Sequence, residues 1–481
     1  LRTEISPWES FATLLDKVRT ADLDAFGHAD IPFESLVEAL DPVRSEAFSP
    51  LAQVMLSFDP AASIGGADIA AGELRVEPVP APVVPAQLDL SLVVSSGGRG
   101  GNWSGALTYA TDLYDEATIA QLAQRFVRVL SDYVADPTLP VGAVDFLDGT
   151  ERDRVLAVSS GPRVTIPESF VADDTAAQVL RTPDAVALTF AGREVTYAEF
   201  AARVNILARK LISAEVGPDV AVGVAIDRSV EMMVAIHAVG VAGGQYVPID
   251  TGAPAERVHY MLDTADVRLV LIADRSPSPV EGVRTIAVSC DGDVDLETRP
   301  IADAERTARP SGANAAYTLF TSGSTGRPKG VTVSRRALMN RLAWMREWYT
   351  LSASDVFVQK TPTTFDVSGW ELFLPLTIGA RLVVAEAGRH GDADYLAQTI
   401  ADQQVSTIHF VPSMLSAFTD VLGADRLAAL ASLRTVFTSG EALTAPPAQA
   451  VLDAVANARV INLYGPTEAA VDVTAYEFRS G

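Results

Sequence analysis

Cysteine and histidine are scarce in this 481-residue chain, and their scarcity limits its chemistry. The one cysteine, Cys290, excludes an intramolecular disulfide and a cysteine-based metal cluster. Its apolar neighbours predict a small buried side chain. The five histidines lack the HExxH-like spacing of a zinc site, so no structural zinc is predicted. No run of 18 apolar residues and no signal-peptide pattern occurs, so we expect no membrane span and a reducing, cytoplasmic location.

Basic residues are also in deficit. Lysine and arginine number 37 against 61 aspartates and glutamates, which gives a formal net charge of -24. Such a surface repels phosphate backbones and anionic lipid headgroups, so nucleic acid and membranes are not expected partners. An acidic balance of this kind is also explained simply by the solubility of a large protein.

The length exceeds what one hydrophobic core normally supports. Residues 10–40 and 115–135 have helical periodicity, while 51–58, 88–95 and 106–109 have strand-like runs, which predicts a first α+β domain. From about residue 175, strands and helices alternate, which predicts an α/β fold with a mostly parallel sheet. The expected domains are 1–147 and 173–481, joined by a linker at 148–172.

The most informative segment is Thr321-Ser-Gly-Ser-Thr-Gly-Arg-Pro-Lys-Gly330, which follows an apolar strand. Glycines let the backbone turn its N–H groups toward an anion, hydroxyls add donors, and Lys329 adds a positive charge. The spacing does not fit the GxxxxGK[ST] pattern of P-loop NTPases. The alternative is an ordinary Ser/Gly turn, but the whole string from Thr321 to Gly330 is far more specific than such a turn. The segment therefore predicts a phosphate-binding loop of another kind.

This loop resembles the nucleotide loop of the adenylate-forming superfamily, and four further motifs resemble its nonribosomal peptide synthetase branch. They are Val195-Thr-Tyr-Ala-Glu-Phe200, Gly243-Gly-Gln-Tyr-Val-Pro-Ile-Asp250, Phe365-Asp-Val-Ser368 with Glu371, and Asn462-Leu-Tyr-Gly-Pro-Thr-Glu468. Arg335 departs from the family, where histidine is frequent. The resemblance implies an adenylation domain core, which converts an amino acid and ATP into an aminoacyl adenylate and pyrophosphate.

The resemblance also implies roles for matching positions. Tyr464 would stack on adenine, Thr467 would contact the α-phosphate, and Glu468 would hold Mg²⁺. The expected catalytic residues are Thr321, Lys329, Thr467 and Glu468. The expected ATP contacts are Thr321, Ser322, Gly323, Ser324, Thr325, Gly326, Lys329, Gly440, Glu441, Ala442, Asn462, Tyr464, Gly465 and Thr467.

Alignment of the motifs with the family places the amino-acid pocket at nine positions: Asp366, Val367, Trp370, His409, Phe437, Ser439, Leu463, Val471 and Asp472. Asp366 would pair with the substrate ammonium group. Taken alone, this residue is equally consistent with a helix-capping aspartate.

The nine positions resemble the serine-selecting set of the family. Bulky side chains shorten the pocket, and a substrate hydroxyl could bond to the polar His409 and Asp472. Threonine and 2-methylserine differ by one methyl group, so they are the nearest alternatives. A buried histidine already satisfied by the protein is the alternative interpretation of His409.

Residues 1–147 resemble the C-terminal lobe of a condensation domain, with a chloramphenicol-acetyltransferase-like fold. The resemblance rests on His28-Ala-Asp-Ile-Pro-Phe-Glu34, Arg44-Ser-Glu-Ala-Phe-Ser-Pro-Leu51, Leu88-Asp-Leu90 and Tyr109-Ala-Thr-Asp-Leu113. The HHxxxDG motif does not occur in this sequence, so peptide-bond formation is not assigned to it. We expect a structural role for His28 and Asp30.

The sequence starts at Leu1 and stops soon after its fifth motif, so we expect a piece of a longer protein. It lacks the ribose-binding aspartate and the lysine-bearing small lobe, and alone it should catalyse poorly. The resemblance implies a carrier domain with phosphopantetheine, which this sequence does not contain, and suggests an MbtH-like partner. Two other classes remain as alternatives: a freestanding acyl-CoA or amino-acid ligase, and a non-catalytic docking module.

Overall fold

The computed structural model describes residues 3–42, 49, 51–59, 69–71, 74–76, 85–96, 102–161, 164–166, 168–274, 276, 282–289, 297–322 and 327–479. The chain divides into two compact units, Leu1–Arg163 and Val164–Gly481. Cys290 and most of the motif that begins at Arg44 lie outside the described residues. Helix Gly149–Ser159 falls inside the segment predicted as a linker and is part of the first unit.

The first unit mixes helices and short strands. Its helices are α1 (Phe11–Phe26), α2 (Phe33–Leu40), α3 (Glu116–Ala135) and α4 (Gly149–Ser159). Its strands are β1 (Val54–Asp59), β2 (Ile69–Ala71), β3 (Leu74–Val76), β4 (Leu90–Ser95) and β5 (Ser104–Tyr109). Strand β4 is central, parallel to β1 and antiparallel to β5, and β2 pairs with β3. The rings of Phe11 and Tyr133 stack at 4.1 Å, so α1 packs on α3.

These elements confirm the α+β prediction for the first unit. Pro32 precedes α2, where its fixed backbone angle suits a helix start and its missing N–H is not needed. His28 Nδ1 lies 2.9 Å from the Asp24 carbonyl oxygen, a local contact within one turn of chain. The structural role expected for His28 stays a prediction.

The second unit alternates strands and helices along the chain. Its helices are α5 (Val171–Arg181), α6 (Tyr197–Ser213), α7 (Val230–Ala242), α8 (Ala255–Thr264), α9 (Arg335–Trp348), α10 (Ser368–Ile378), α11 (Ala393–Gln403), α12 (Pro412–Ala428) and α13 (Ala445–Ala454). Its strands are β6 (Val186–Phe190), β7 (Arg193–Thr196), β8 (Ala221–Ala225), β9 (Gln245–Pro248), β10 (Leu269–Ala273), β11 (Arg284–Val288), β12 (Ala315–Thr321), β13 (Lys329–Ser334), β14 (Val356–Gln359), β15 (Arg381–Val384), β16 (Thr407–Phe410), β17 (Thr435–Thr438), β18 (Arg459–Tyr464) and β19 (Thr474–Phe478).

Two sheets form the second unit. The six-stranded sheet has the order β11-β10-β8-β9-β12-β13, and the eight-stranded sheet has the order β19-β18-β17-β16-β14-β15-β6-β7. Every pairing inside them is parallel except those of β13, β19 and β7, which are antiparallel edge strands. The prediction of an α/β fold with mostly parallel sheets is confirmed.

Burial explains why the strands lack apolar–polar alternation. Strand β8 is buried at all five positions, as expected for a parallel strand covered by helices on both faces. Helix α7 is buried around almost its whole circumference and belongs to the main apolar core, which contains residues of both sheets. Of the helices in the described ranges, none combines the length and hydropathy needed to cross a bilayer.

Candidate active site

Four of the nine predicted pocket residues lie at the carboxyl ends of three parallel strands. His409 in β16 pairs with Phe437 in β17, and Thr438 at the end of β17 pairs with Asn462 in β18. Ser439 directly follows β17. The carboxyl edge of an open parallel sheet is where such folds bind ligands, because loops diverge there and leave a crevice.

The predicted phosphate loop joins two strands of the other sheet. Thr321 ends β12, Lys329 begins β13, and the two residues pair across this antiparallel hairpin. The side chains of Ser322 and Lys329 are exposed, so they are accessible to a ligand. The loop residues Gly323, Ser324, Thr325 and Gly326 lie outside the described residues.

The predicted adenine side consists of exposed groups around the end of β18. Tyr464 is 68% exposed, which leaves its ring face free for stacking. Gly440 has a φ of 91°, a left-handed conformation that favours glycine, and Glu441 and Ala442 after it are exposed. The Asn462 Oδ1 atom accepts a hydrogen bond from Thr438 Oγ1 at 3.0 Å, which fixes its amide group.

Asp366 lies between the predicted pocket and the predicted phosphate contact. Its Oδ2 accepts a hydrogen bond from Thr467 Oγ1 at 2.6 Å, and its Oδ1 accepts one from the Val367 N–H at 2.8 Å. Burial raises the pKa of Asp366, the two hydrogen bonds oppose that shift, and the charge of Glu468 adds to it. Asp366, the predicted partner of the substrate ammonium group, is therefore in direct contact with Thr467, the predicted α-phosphate contact.

Aromatic and aliphatic side chains of the predicted pocket pack together. The Trp370 ring lies 5.3 Å from that of Phe437 and 6.3 Å from that of His409, in edge-to-face arrangements. Leu463 and Val471 are buried in the same core. Val471 has a φ of 83°, an uncommon conformation for a β-branched residue, so its position in the loop after β18 is strained.

Gly465 explains how this loop closes on itself. A Cβ atom at Gly465 would lie 2.5 Å from the Asp472 Cα and 2.7 Å from the Val471 carbonyl oxygen. Only glycine permits this approach. The glycine of the fifth motif therefore brings Asp472 back to the end of β18.

Both polar residues deep in the predicted pocket have protein partners. His409 Nε2 lies 2.8 Å from Ser439 Oγ. Asp472 Oδ2 accepts a hydrogen bond from Arg341 Nη2 at 2.5 Å, and side chains of this ion pair are 4% and 2% exposed for Arg341 and Asp472 respectively. Their burial therefore does not by itself require a substrate hydroxyl. Ser439, the partner of His409, is itself a predicted pocket residue.

Three residues beside the pocket were not predicted: Arg341, Lys360 and Thr361. Arg341 lies on the buried face of α9 with Leu338 and Met345, and the spacing of three and four residues was the available signal. Lys360 and Thr361 follow β14, and their backbone N–H groups donate to Glu371 Oε2 at 3.2 and 3.0 Å.

Lys360 and Glu371 are oppositely charged groups inside the protein. Burial lowers the pKa of Lys360 to about 8, and the Glu371 charge opposes that shift. Burial raises the pKa of Glu371, whereas Lys360 and the hydrogen bonds from residues 360 and 361 lower it. Glu371 is thus a fully buried hydrogen-bond acceptor, whereas Asp366 is partly exposed.

Glu468, the predicted Mg²⁺ ligand, is exposed next to Thr467. Within the described ranges, no group of three or more His, Cys, Asp and Glu side chains is arranged to hold a metal ion. One accessible carboxylate still fits Mg²⁺, because this ion is commonly held by one or two carboxylates together with substrate phosphates and water.

Comparison with known proteins decides the family. The model of the AMP-binding enzyme family matches residues 175–480, and that of the condensation domain matches residues 1–156. The chain belongs to the AMP-binding enzyme family. Together, the two matches confirm the condensation and adenylation domains of a nonribosomal peptide synthetase, and the enzyme class is an adenylate-forming amino-acid ligase.

Its relatives are peptide synthetases that are much longer. The chain is 38% identical to phosphinothricin tripeptide synthetase PhsB of Streptomyces viridochromogenes, over 100% of this chain and 40% of PhsB. It is 34% identical to tyrocidine synthase 3 of Brevibacillus parabrevis, over 98% of this chain and 7% of that protein. It is 40% identical to enterobactin synthase component F of Escherichia coli K12, over 76% of this chain and 28% of that protein. The chain thus spans less than half of these proteins.

Solved structures share the fold. The α-methyl-L-serine-AMP-bound form of the nonribosomal peptide synthetase FmoA3 has a TM-score of 0.75 and 23% identity, covering 97% of this chain and 51% of that one. Holo-AB3403, a four-domain synthetase bound to AMP and glycine, has a TM-score of 0.78 and 22% identity, covering 99% of this chain and 36% of that one. The predicted fold class, a condensation lobe followed by an adenylation core, is confirmed.

Proposed function

We propose that the second unit activates L-serine with ATP, forming seryl-AMP and pyrophosphate. The observation that carries this proposal is the set of contacts among the predicted pocket residues. The Trp370 and Phe437 rings pack edge to face, and His409 is hydrogen-bonded to Ser439. The Asp366 carboxylate accepts a hydrogen bond from Thr467. The Asp366 carboxylate together with buried hydrogen-bonding groups suits a small amino acid with a polar side chain.

The reaction requires positioning more than covalent catalysis by the protein. A substrate carboxylate oxygen forms a bond to the α-phosphorus of ATP as the bond from that phosphorus to the bridging oxygen breaks, and pyrophosphate leaves with the electron pair. Asp366 would hold the ammonium group, and Thr467, in contact with Asp366, would meet the α-phosphate. Lys329 would neutralise phosphate charge, while Mg²⁺ held by Glu468 would offset the charge of the leaving group.

A substrate with a hydroxyl group is favoured over alanine by chemistry and by similarity. Alanine would leave the buried hydrogen-bonding groups without a substrate partner. FmoA3, which shares the fold, has been solved with α-methyl-L-serine-AMP, the adenylate of 2-methylserine, which carries the same hydroxyl group as serine. Threonine and 2-methylserine keep the hydroxyl group and add one methyl, so discrimination against them rests on packing worth roughly 1–3 kcal/mol.

The partners of this reaction follow from the same proposal. The seryl group would pass to the phosphopantetheine thiol of a carrier domain, and an MbtH-like protein is a further proposed partner. A docking module without catalysis is the alternative from another class, and the amino-acid panel below distinguishes it. Cytoplasmic location and the absence of nucleic-acid and membrane partners stay predictions from composition.

The first test is amino-acid-dependent pyrophosphate exchange by the complete module, with serine, threonine, 2-methylserine, alanine and glycine, with and without an MbtH-like protein. We expect serine to give the highest kcat/KM and alanine to be at least about tenfold poorer, the value of a lost hydrogen bond. Exchange led by another amino acid would contradict the serine assignment only. A folded module without exchange for any amino acid would support the docking alternative.

A second test concerns the adenine side. Replacing Tyr464 with alanine should raise KM for ATP by about 5- to 150-fold, because stacking on a base is worth roughly 1–3 kcal/mol. Tyr464→Phe should retain nearly normal KM, since the ring remains. Tyr476, 65% exposed on β19, provides the matched control, and Tyr476→Ala should leave KM for ATP unchanged. Equal effects of the two alanine variants would refute the stacking role.

A further inference from the structure

Glu371, Thr361, His409 and Ser439 form a chain of hydrogen bonds. Which atom donates in each bond can be worked out from Glu371 but not from the pocket residues alone. We propose that Thr361 and Glu371 are positioning residues that keep the His409 proton on Nδ1, so that Ser439 presents a hydrogen-bond acceptor and the pocket selects side chains that donate. This proposal rests on the proposed function for its substrate, while its structural part concerns one tautomer and can be tested without substrate.

The Thr361 hydroxyl donates its proton to a hydrogen bond with Glu371. Glu371 Oε1 accepts the hydrogen bond of Thr361 Oγ1 at 2.7 Å. Its Oε2 accepts from the backbone N–H groups of Lys360 and Thr361 and from Gln359 Nε2, at 3.2, 3.0 and 3.4 Å. Burial raises the pKa of Glu371, but the Lys360 charge and these hydrogen bonds oppose that shift and favour the ionised carboxylate, which accepts only. The one proton of the Thr361 hydroxyl is therefore used toward Glu371.

The remaining side of Thr361 faces His409. Thr361 Oγ1 lies 3.4 Å from His409 Nδ1, and both side chains are buried. Because the hydroxyl proton points to Glu371, a hydrogen bond here requires the proton to be on Nδ1. Burial, reinforced by the Lys360 charge, holds the pKa of His409 well below its ordinary value, so the ring is neutral and has a single N–H. Nε2 is then without a proton.

Ser439 is the last group in this chain of hydrogen bonds. Its Oγ lies 2.8 Å from His409 Nε2, so with an unprotonated Nε2 the serine hydroxyl must donate. What Ser439 Oγ can still offer a ligand is a lone pair. A substrate hydroxyl would donate to it, whereas a methyl or fluoromethyl side chain has no proton to donate. With the opposite tautomer, Ser439 would accept from His409 and present its own proton to the ligand.

The tautomer can be measured directly by two-bond ¹⁵N–¹H correlation spectra of the full chain labelled with ¹⁵N-histidine. The chain has five histidines, and the resonance that disappears in His409→Gln belongs to His409. We expect Nδ1–H in the wild-type chain. In Glu371→Gln, the amide oxygen should occupy the place of Oε2 among the three donors, so its NH₂ group would donate to Thr361 and shift the proton to Nε2. A wild-type ring protonated on Nε2 or on both nitrogens would overturn the proposal.

The consequence for selectivity is tested with serine and 3-fluoroalanine, which is similar in shape but cannot donate. In pyrophosphate exchange by the complete module, Thr361→Val should lower the ratio of kcat/KM for serine to that for 3-fluoroalanine by about tenfold, the value of one hydrogen bond. Thr361→Ser retains the hydroxyl and should preserve the ratio. A ratio unchanged in Thr361→Val would overturn the proposal.

Thr377 provides a matched buried control. It lies on α10, and its hydroxyl donates to the Leu374 carbonyl oxygen at 2.8 Å, within the helix. Thr377→Val should leave the ratio unchanged, and an equal fall there would also overturn the proposal. If Thr361→Val does not fold, the wild-type and Glu371→Gln spectra decide. Absence of serine exchange in the wild-type module would refute the proposed function, whereas the tautomer result stands apart from it.

Discussion

Replacing Asp366 with alanine is expected to lower kcat/KM for the amino acid by about 30- to 5,000-fold. This range corresponds to about 2–5 kcal/mol, the usual effect of truncating one partner of a buried, hydrogen-bonded charge pair. Asp366→Asn should have an intermediate effect, because an amide can still accept from Thr467 but does not attract an ammonium group. The measurement is pyrophosphate exchange against amino-acid concentration at saturating ATP.

Measurements of stability and of the pH dependence of activity distinguish this loss of kcat/KM from misfolding. Burial raises the pKa of Asp366 above that of the unfolded chain, so the folded state binds the proton more tightly and the ionised group lowers the free energy of unfolding at neutral pH. Asp366→Asn should therefore unfold in urea no more easily than wild type at pH 7. Activity of the wild type should fall as pH drops through the raised pKa, because a protonated carboxyl does not pair with the ammonium group.

Asp453, exposed on α13, is the matched control, and Asp453→Asn should change neither activity nor stability. Full activity of Asp366→Asn would contradict the anchoring role. So would a loss of activity in Asp366→Asn that is matched by a loss of stability, since the activity would then be explained by unfolding.

The sequence predicted the elements well because their signals are local. Helix α3 and strand β8 follow directly from periodicity and from an apolar run. The helix Gly149–Ser159 was not predicted, because it buries no side chain and has no apolar stripe to detect. Its signal was the capping box of Asp148 and Glu151, whose side chains bond to each other's backbone N–H groups.

The partners behind the pocket could not be predicted in the same way. Arg341 and Asp472 are separated by 131 positions, and Thr361 and His409 by 48. Motif alignment identifies residues that face a ligand, but not the residues that hold them. Those contacts depend on how α9 and the end of β14 pack against the sheet edge, and no local pattern encodes that packing.

Breaking the buried ion pair by Arg341→Met is expected to destabilise the second unit by about 3–5 kcal/mol, because the Asp472 carboxylate is left buried without a partner. Burial already raises the pKa of Asp472, and Arg341 is the charge that opposes the shift. Without Arg341, the folded-state pKa should rise further above the unfolded value. The loss in free energy of unfolding caused by Arg341→Met should therefore be largest at neutral pH and decrease as pH falls. Urea unfolding at pH 5 and pH 8 measures both effects.

The double variant Arg341→Met/Asp472→Leu should recover most of the lost stability, since an apolar pair of similar volume is often as stable as a buried ion pair. It should not recover activity, because Asp472 is a proposed substrate contact. Arg459 and Glu477 form the matched exposed pair, at 2.8 Å with side chains 38% and 41% exposed. Arg459→Met should lose no more than about 1 kcal/mol. If Arg341→Met were no more destabilising than Arg459→Met, the ion pair between Arg341 and Asp472 would not be what stabilises the buried Asp472 carboxylate.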